Sequence, residues 1–421
     1  MKFKILMIGL AWVSLAGAKE KLIIVNEGLW QSDNGSLTYF EDGNIVSNQW
    51  FRDINGKKLG DTPNDIIQVR DGMIAVAVNW SNIIQFMDTE GHDIGATEDV
   101  PNNRKLATDG NYVYVTSYAH EVGIDGGTKQ FEKGYVAKID CSTLKVTDAV
   151  EVGYEPEGIA WYRGYLFVAN SGGYAFQEDH EYETTVSVID AETMRVIRCV
   201  DTGQINLYGK MSQSGRYLCI NSPGDYYNCP PATIILDCEA ALEGRPDSDC
   251  VKKLAVASTA NCKAGDGSFY SLGASYSYNT GAYVFNCSVI HPGKVFAGEE
   301  DYSESLPGTL QREIEGMSMP YGIYVNPYTG YIYATDAGEY AGAGALYQWS
   351  PEGQFLGKYK TYINPGHFLA LGTEEEMEDN GIEYIGQPTE DSVIFDMTGI
   401  RVTRPVAGRI YIKNGKKFIF Q

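Results

Sequence analysis

Short apolar alternations, interrupted every few residues by Gly, Asn, Asp or Pro, run along most of the chain and predict strands rather than helices. They recur as a unit: a turn with Pro or Asn, a short strand, a turn with Gly, a Tyr/Val-rich strand, a polar loop, and a strand ending in Asp. Glu155–Ala160, Tyr165–Asn170 and Thr185–Asp190 form one copy. Arg104–Ala107, Tyr112–Val115 and Tyr135–Asp140 form the copy before it, and Asn64–Ile67, Ile74–Val78 and Ile83–Asp88 an earlier one. Later units open near Leu207, Ala260 and Tyr321, with second strands at Tyr217–Ile220, Phe269–Leu272 and Tyr331–Ala334. Unit starts lie roughly 40–60 residues apart, the range of four-stranded propeller blades.

Six units are continuous and the seventh is split between the chain ends. Gly366–Leu371 reads as its first strand; Leu22–Asn26, Ser36–Phe40 and the residues around Ile45 supply the other three. Pairing them closes the ring and leaves no open edge. The expected fold is therefore all-β: a seven-bladed β-propeller closed by the N- and C-terminal strands, with a small C-terminal β appendage. Asp88, Asp140, Asp190 and Asp237 recur at one position of the unit, which unrelated hairpins in two sandwiches would not produce.

Composition narrows the class. The 421 residues are 43% hydrophobic, enough for a large core, and 55 Asp+Glu against 33 Lys+Arg leave a net charge of −22. That balance argues against nucleic acid or an anionic membrane surface as partner. Lys2 and Lys4 precede the apolar run Ile5–Leu15 and the small residues Ala16-Gly17-Ala18, the layout of a secretory signal peptide over residues 1–18. The run is too short to span a bilayer, and no later segment approaches the ~20 apolar residues a transmembrane helix needs. No Cys follows the run to carry a lipid anchor. A secreted, periplasmic or cell-surface protein is expected, its propeller filling 19–373. An acidic linker over 374–391 and a separate β segment over 392–421 follow. Eight cysteines, six of them between Cys219 and Cys287, predict local disulfides in an exported chain. None shows C-x-x-C spacing, so no structural zinc is expected.

In a four-stranded blade, the loop entering the first strand and the loop leaving the second emerge on one face. Every unit places an aromatic after its second strand: Trp30, Trp80, Tyr118, Tyr174, Tyr226, Tyr276 and Tyr340. Asn26, Asn79, Ser117, Asn170, Asn221 and Asp336 precede them, and Asn64, Asp65, Arg104, Glu157, Tyr208, Asn261, Tyr321 and His367 enter the first strands. A large, flat, amphipathic ligand suits such a mouth, because Tyr and Trp offer wide contact with a polar tip. Loop aromatics packed against neighbouring blades are the competing explanation. Catalysis finds less support. Among the five His, none forms a metal-protease spacing and no G-x-S-x-G occurs, so no catalytic residue, metal or cofactor is expected. His92 and His180 lie in polar loops and are expected in solvent; His291 precedes Pro292 in a turn. His367 opens a first strand near the channel, where it serves as acid, base or axial ligand, or simply as a hydrogen-bonded structural group. Arg104 and Glu157 are placed to pair between adjacent blades.

The motifs Val25-Asn26-Glu27-Gly28, Leu59–Asp65, Pro156–Ala160, Val168–Gly173 and Val186–Asp190 resemble those of secreted YncE-like (YVTN-type) propellers of Bacteroidetes, over roughly Lys21 to Leu371. Within that group the similarity points to the BtuG surface cobalamin-binding propellers. That resemblance implies a corrinoid held on one face of the ring and an outer-membrane transporter as partner. The absence of a lipid-anchor Cys departs from that pattern. Ser392–Val402 and Gly408–Lys417 are similar to the C-terminal sorting segments of Bacteroidetes secretion, though shorter. The reading favoured is a non-enzymatic exported propeller that binds a small molecule. A propeller enzyme of lyase or lactonase type, using His367, Glu157 or a bound metal at the channel mouth, is one alternative. A protein-interaction scaffold is the other.

Overall fold

The computed structural model describes residues 20–120, 132–175, 180–372 and five short strands beyond them. Seven four-stranded antiparallel sheets form a propeller ring. Blade 1 has the strand order Pro365–Leu371, Lys21–Asn26, Ser36–Glu41, Asn44–Ser47. Ile23 faces Leu369 in register, so the two ends of the chain close the ring as expected. The first strands of blades 2 to 7 are Pro63–Arg70, Asn103–Thr108, Pro156–Tyr162, Tyr208–Ser214, Ala260–Lys263 and Pro320–Val325. The second strands leave the same face at Val78, Ser117, Asn170, Ser222, Ser277 and Asp336.

Burial explains the sequence pattern strand by strand. A second strand such as Met73–Val78 is covered on both faces by adjacent blades, and its whole length is buried. It therefore reads as an unbroken run of apolar and small residues instead of an alternation. The fourth strand is the outer edge: Lys145–Glu151 is almost wholly exposed and carries four charged or Thr side chains. Charge on an edge strand discourages pairing with another chain. The hydrophobic core is accordingly divided into wedges between neighbouring blades. Ile23, Leu37, Val76 and Met87 fill the wedge between blades 1 and 2, and Tyr333, Leu346, Leu22 and Phe40 the one between blades 7 and 1.

The recurring Asp residues have one task. Asp88, Asp140, Asp190 and Asp237 each accept backbone N–H groups two to four residues ahead, for example Ser142 at 2.7 Å and Thr193 at 2.8 Å. Asp88, Asp140 and Asp190 thereby close the turn that follows the third strand, and Asp237 caps the helix Cys238–Leu242. Hydrogen bonds from Ser142 hold Asp140 below the ordinary carboxylate range.

Three expectations need correction or addition. All eight cysteines are free. Cys219, Cys238, Cys250, Cys262 and Cys287 are buried as small apolar residues of the wedges, and burial pushes the Cys262 and Cys287 thiols up to about 12. Cys219, Cys262 and Cys287 lie on strands of blades 5 and 6, and Cys238 and Cys250 in two short helices. The second strand of blade 6 runs from Phe269 to Ser277 and pairs with Ala282–Ile290, making a hairpin far longer than four residues. Beyond the ring, five strands form one sheet in the order Ile382–Ile385, Lys416–Phe420, Arg409–Lys413, Ile394–Asp396, Arg401–Val402. The first of these falls inside the expected linker and pairs parallel to Lys416–Phe420. The signal-peptide segment and the acidic run 374–379 lie outside the described residues. No described helix is long and apolar enough to cross a membrane.

Candidate ligand-binding site

The face carrying the loops before first strands and after second strands holds a cavity of about 910 Å³ over the central channel. Its floor is ionic. Lys210 of blade 5 reaches Asp65 of blade 2 at 2.7 Å, an ion pair thrown across the channel. Asp65 also accepts the Leu106 N–H at 2.9 Å, and Lys105 donates to the Asn64 carbonyl at 2.6 Å. Arg104 and Glu157 pair at 2.7 Å between blades 3 and 4, and Tyr118 donates its hydroxyl to the same Glu157 oxygen. The Arg104 guanidinium lies 4.9 Å over the Tyr118 ring. On the far side, Glu27 accepts from Tyr321 at 2.8 Å and meets His367 Nε2 at 3.0 Å.

The titration behaviour follows from these contacts. Burial alone would raise Asp65 and Glu27, but Lys210 and Lys105 outweigh it for the first and His367 for the second, so both carboxyls lie below their usual range. Burial lowers Lys105 despite its acidic neighbours Asp65 and Glu157. It also lowers His367, with the Lys105 charge adding to the effect. Three cations, Arg104, Lys105 and Lys210, are thus balanced by Asp65, Glu157 and Glu27, and the floor presents little net charge.

The walls are aromatic, and unevenly so. Trp30, Tyr174, Tyr208, Tyr226, Tyr276, Tyr283, Tyr321 and Tyr340 all line the cavity. The long hairpin of blade 6 carries a chain of ring contacts: Tyr276 meets Tyr278 and Tyr283 at 5.0 and 5.1 Å, and Tyr278 stacks on Tyr227 at 5.0 Å. Tyr321 meets Tyr340 edge-on at 5.8 Å. Tyr226 and Tyr340 hold φ of 65° and 62°, a left-handed backbone that costs a non-glycine residue on the order of 1–3 kcal/mol. Such strain is retained where the placement of a side chain matters.

The candidate residues divide. Trp30, Asn79, Arg104, Tyr174, Tyr226, Tyr276, Tyr340 and His367 line the cavity, as do Asn64, Tyr208, Asn221, Asn261 and Tyr321. Trp80 stands behind Trp30, edge-on at 5.0 Å. The others are engaged within the fold. Asn26 donates to Ser36 and Thr38, and Asn170 to Thr185 and Ser187, tying strand ends together inside their blades. Asp336 caps the loop entering blade 7 through the Met319 N–H at 2.9 Å, and Ser117 donates to the Pro101 carbonyl. Asp65, Tyr118 and Glu157 are buried in the floor network. His367 and Glu157, the pair a lyase or lactonase would need, have separate partners. His180 corrects an expectation of exposure: its side chain is only 6% exposed and meets the buried Glu155 at 2.7 Å, with Tyr154 stacked on the ring at 4.3 Å. Glu27, Lys105, Lys210 and Tyr283 were not foreseen. Glu27 and Lys105 sit next to singled-out residues, whereas Lys210 pairs with a residue far away in the chain and leaves no local signal.

No protein-family model matches the chain, and no curated protein matches it in sequence. The fold is similar to hydrazine synthase of Kuenenia stuttgartiensis, with 14% identity and a TM-score of 0.51 over 72% of this chain and 88% of that one. It is also similar to a functionally unknown protein from Desulfotomaculum acetoxidans, with 12% identity and a TM-score of 0.52 over 83% and 98%. At such identities the likeness concerns the propeller fold alone, because function resides in the site and not in the fold.

Proposed function

We propose that this protein is an exported, non-enzymatic propeller that captures one bulky, ring-bearing small molecule in the cavity at its mouth. The carrying observation is the cavity itself: about 910 Å³, with aromatic walls over a floor in which the Arg104–Glu157 and Lys210–Asp65 charges are paired. Its size is near the top of the roughly 300–1,000 Å³ typical of small-molecule sites. Aromatic faces supply contact area to a flat amphipathic ligand, and the Asn side chains of the wall meet its polar edge. A cavity of this volume favours capture over a flat docking surface. The resemblance of the repeat motifs to cobalamin-binding propellers makes a corrinoid the ligand class, with delivery to an outer-membrane transporter as the role. The C-terminal strands would then belong to a sorting segment.

Calorimetric titration of the purified protein with cyanocobalamin, beside an unrelated porphyrin, tests this. Saturable heat with the corrinoid alone is expected. No heat at micromolar protein would remove the corrinoid and leave a propeller with another ligand.

A further inference from the structure

On the basis of the corrinoid reading above, we propose that His367 supplies an axial ligand to the metal of the bound macrocycle through Nδ1. The imidazole stands on the first strand of blade 1 and lines the cavity. Its Nε2 is committed to Glu27 Oε1 at 3.0 Å, and Glu27 is fixed in turn by the Tyr321 hydroxyl at 2.8 Å. A carboxylate that accepts the Nε2 proton fixes the tautomer and leaves the Nδ1 lone pair free. Nδ1 has no hydrogen-bond partner among the described residues, and it is not one of the unpartnered atoms sealed from solvent. The side chain keeps 14% of its surface open.

The arrangement is that of a metal-binding histidine, whose second ring nitrogen is almost always held by a carboxylate, carbonyl or water. Among the described residues no three His, Cys, Asp or Glu side chains gather as a free ion would require. A macrocycle brings its own equatorial ligands, so one imidazole is sufficient. Tyr321 and Tyr340, edge-on to each other beside His367, offer the aromatic surface on which its ring would rest. The step is a ligand exchange. The bond from the metal to an axial water breaks, the water leaves, and Nδ1 donates its pair to the metal. The Nε2 proton remains on the hydrogen bond to Glu27, and no oxidation state changes.

The test uses aquacobalamin, whose axial water exchanges, and a corrinoid carrying cyanide on both axial positions. Visible absorption is followed while each is titrated into the protein. The expected result is a red shift of the long-wavelength bands with aquacobalamin only, at one equivalent. His367→Ala should bind without the shift, and added imidazole should restore it. Glu27→Gln leaves the imidazole in place, so it should keep the shift while weakening affinity by about 10–100-fold, the usual cost of losing a ligand's outer partner. Melting curves of both variants verify that the ring is folded. Aquacobalamin binding with an unchanged spectrum, or a full shift in His367→Ala, would overturn axial ligation while leaving corrinoid capture in place. Binding of neither corrinoid would overturn both.

Discussion

Two arcs of the same mouth use similar residues to opposite ends. In blades 2 to 4 the groups singled out by the repeat are largely spent on one another: Tyr118 and Arg104 on Glu157, Asn170 on Thr185 and Ser187, Asp65 on a lysine from across the ring. In blades 5 to 7 the aromatics at the equivalent positions remain in the wall, and Tyr208, Tyr278, Tyr283 and Tyr340 are exposed. A repeat position fixes where a side chain emerges. What meets it there depends on the neighbouring blade, and an acidic neighbour turns a wall tyrosine into a floor tyrosine.

The sharpest way to break this comparison is Glu157→Ala. It strands Arg104, which is largely buried, without its counter-charge, and losing one partner of a buried pair costs about 3–5 kcal/mol. Denaturant unfolding should show a loss of that order; a loss below about 1 kcal/mol would mean the floor is not structural. The opposite arc should respond in binding instead. Replacing Tyr276, Tyr283 and Tyr340 together by Ala should weaken corrinoid affinity by about 2–4 kcal/mol, or some 30- to 1,000-fold. Unfolding should move by less than about 1 kcal/mol, as is usual for partly exposed positions. Unchanged affinity would place the ligand elsewhere.

Acid separates the arcs next. Asp65 and Glu27 have folded-state values below their unfolded ones, so the stability they contribute is present above the ordinary carboxylate range and lost as pH falls from there through their lower folded values. Stability measured from pH 6 to pH 2 should therefore decline, and Asp65→Asn should flatten part of the decline. The aromatic arc should not notice: burial pushes the Tyr226 and Tyr340 phenols up to about 12, leaving them neutral throughout. Within the floor, a smaller loss than that of Glu157→Ala is expected of Tyr118→Phe, which removes one charged-acceptor hydrogen bond and should cost about 1.5–3 kcal/mol in denaturant unfolding, with the Arg104 pair intact.

The ring and its closure were legible because burial imposes a period. Second strands covered on both faces read as continuous apolar runs, and an Asp at the end of the third strand marks four of the seven units. The cavity was legible only in part. Repeat position located Trp30, Tyr226, Tyr276 and Tyr340, but it could not reveal that Asp65 meets Lys210 from a blade on the other side of the channel. The length of the blade 6 hairpin was hidden as well. Tyr-Ser alternation over Ser275–Tyr278 looks like a polar loop, yet its rings are held by one another rather than by a core. Cysteine count misled for a related reason: proximity along the chain says little about which residues face each other across seven wedges.

The closing strand also orders events in time. Lys21–Asn26 is made before the intervening blades, and its partner Pro365–Leu371 only after all of them. Until then a strand of Leu, Ile and Val, fully covered in the finished ring, offers bare amide and carbonyl groups. A second chain that has completed Pro365–Leu371 but not yet sealed its own ring carries the complementary strand, so two such copies can exchange ends and seal into one interlinked pair. Production of this protein should therefore be sensitive to concentration during folding and indifferent to it afterwards.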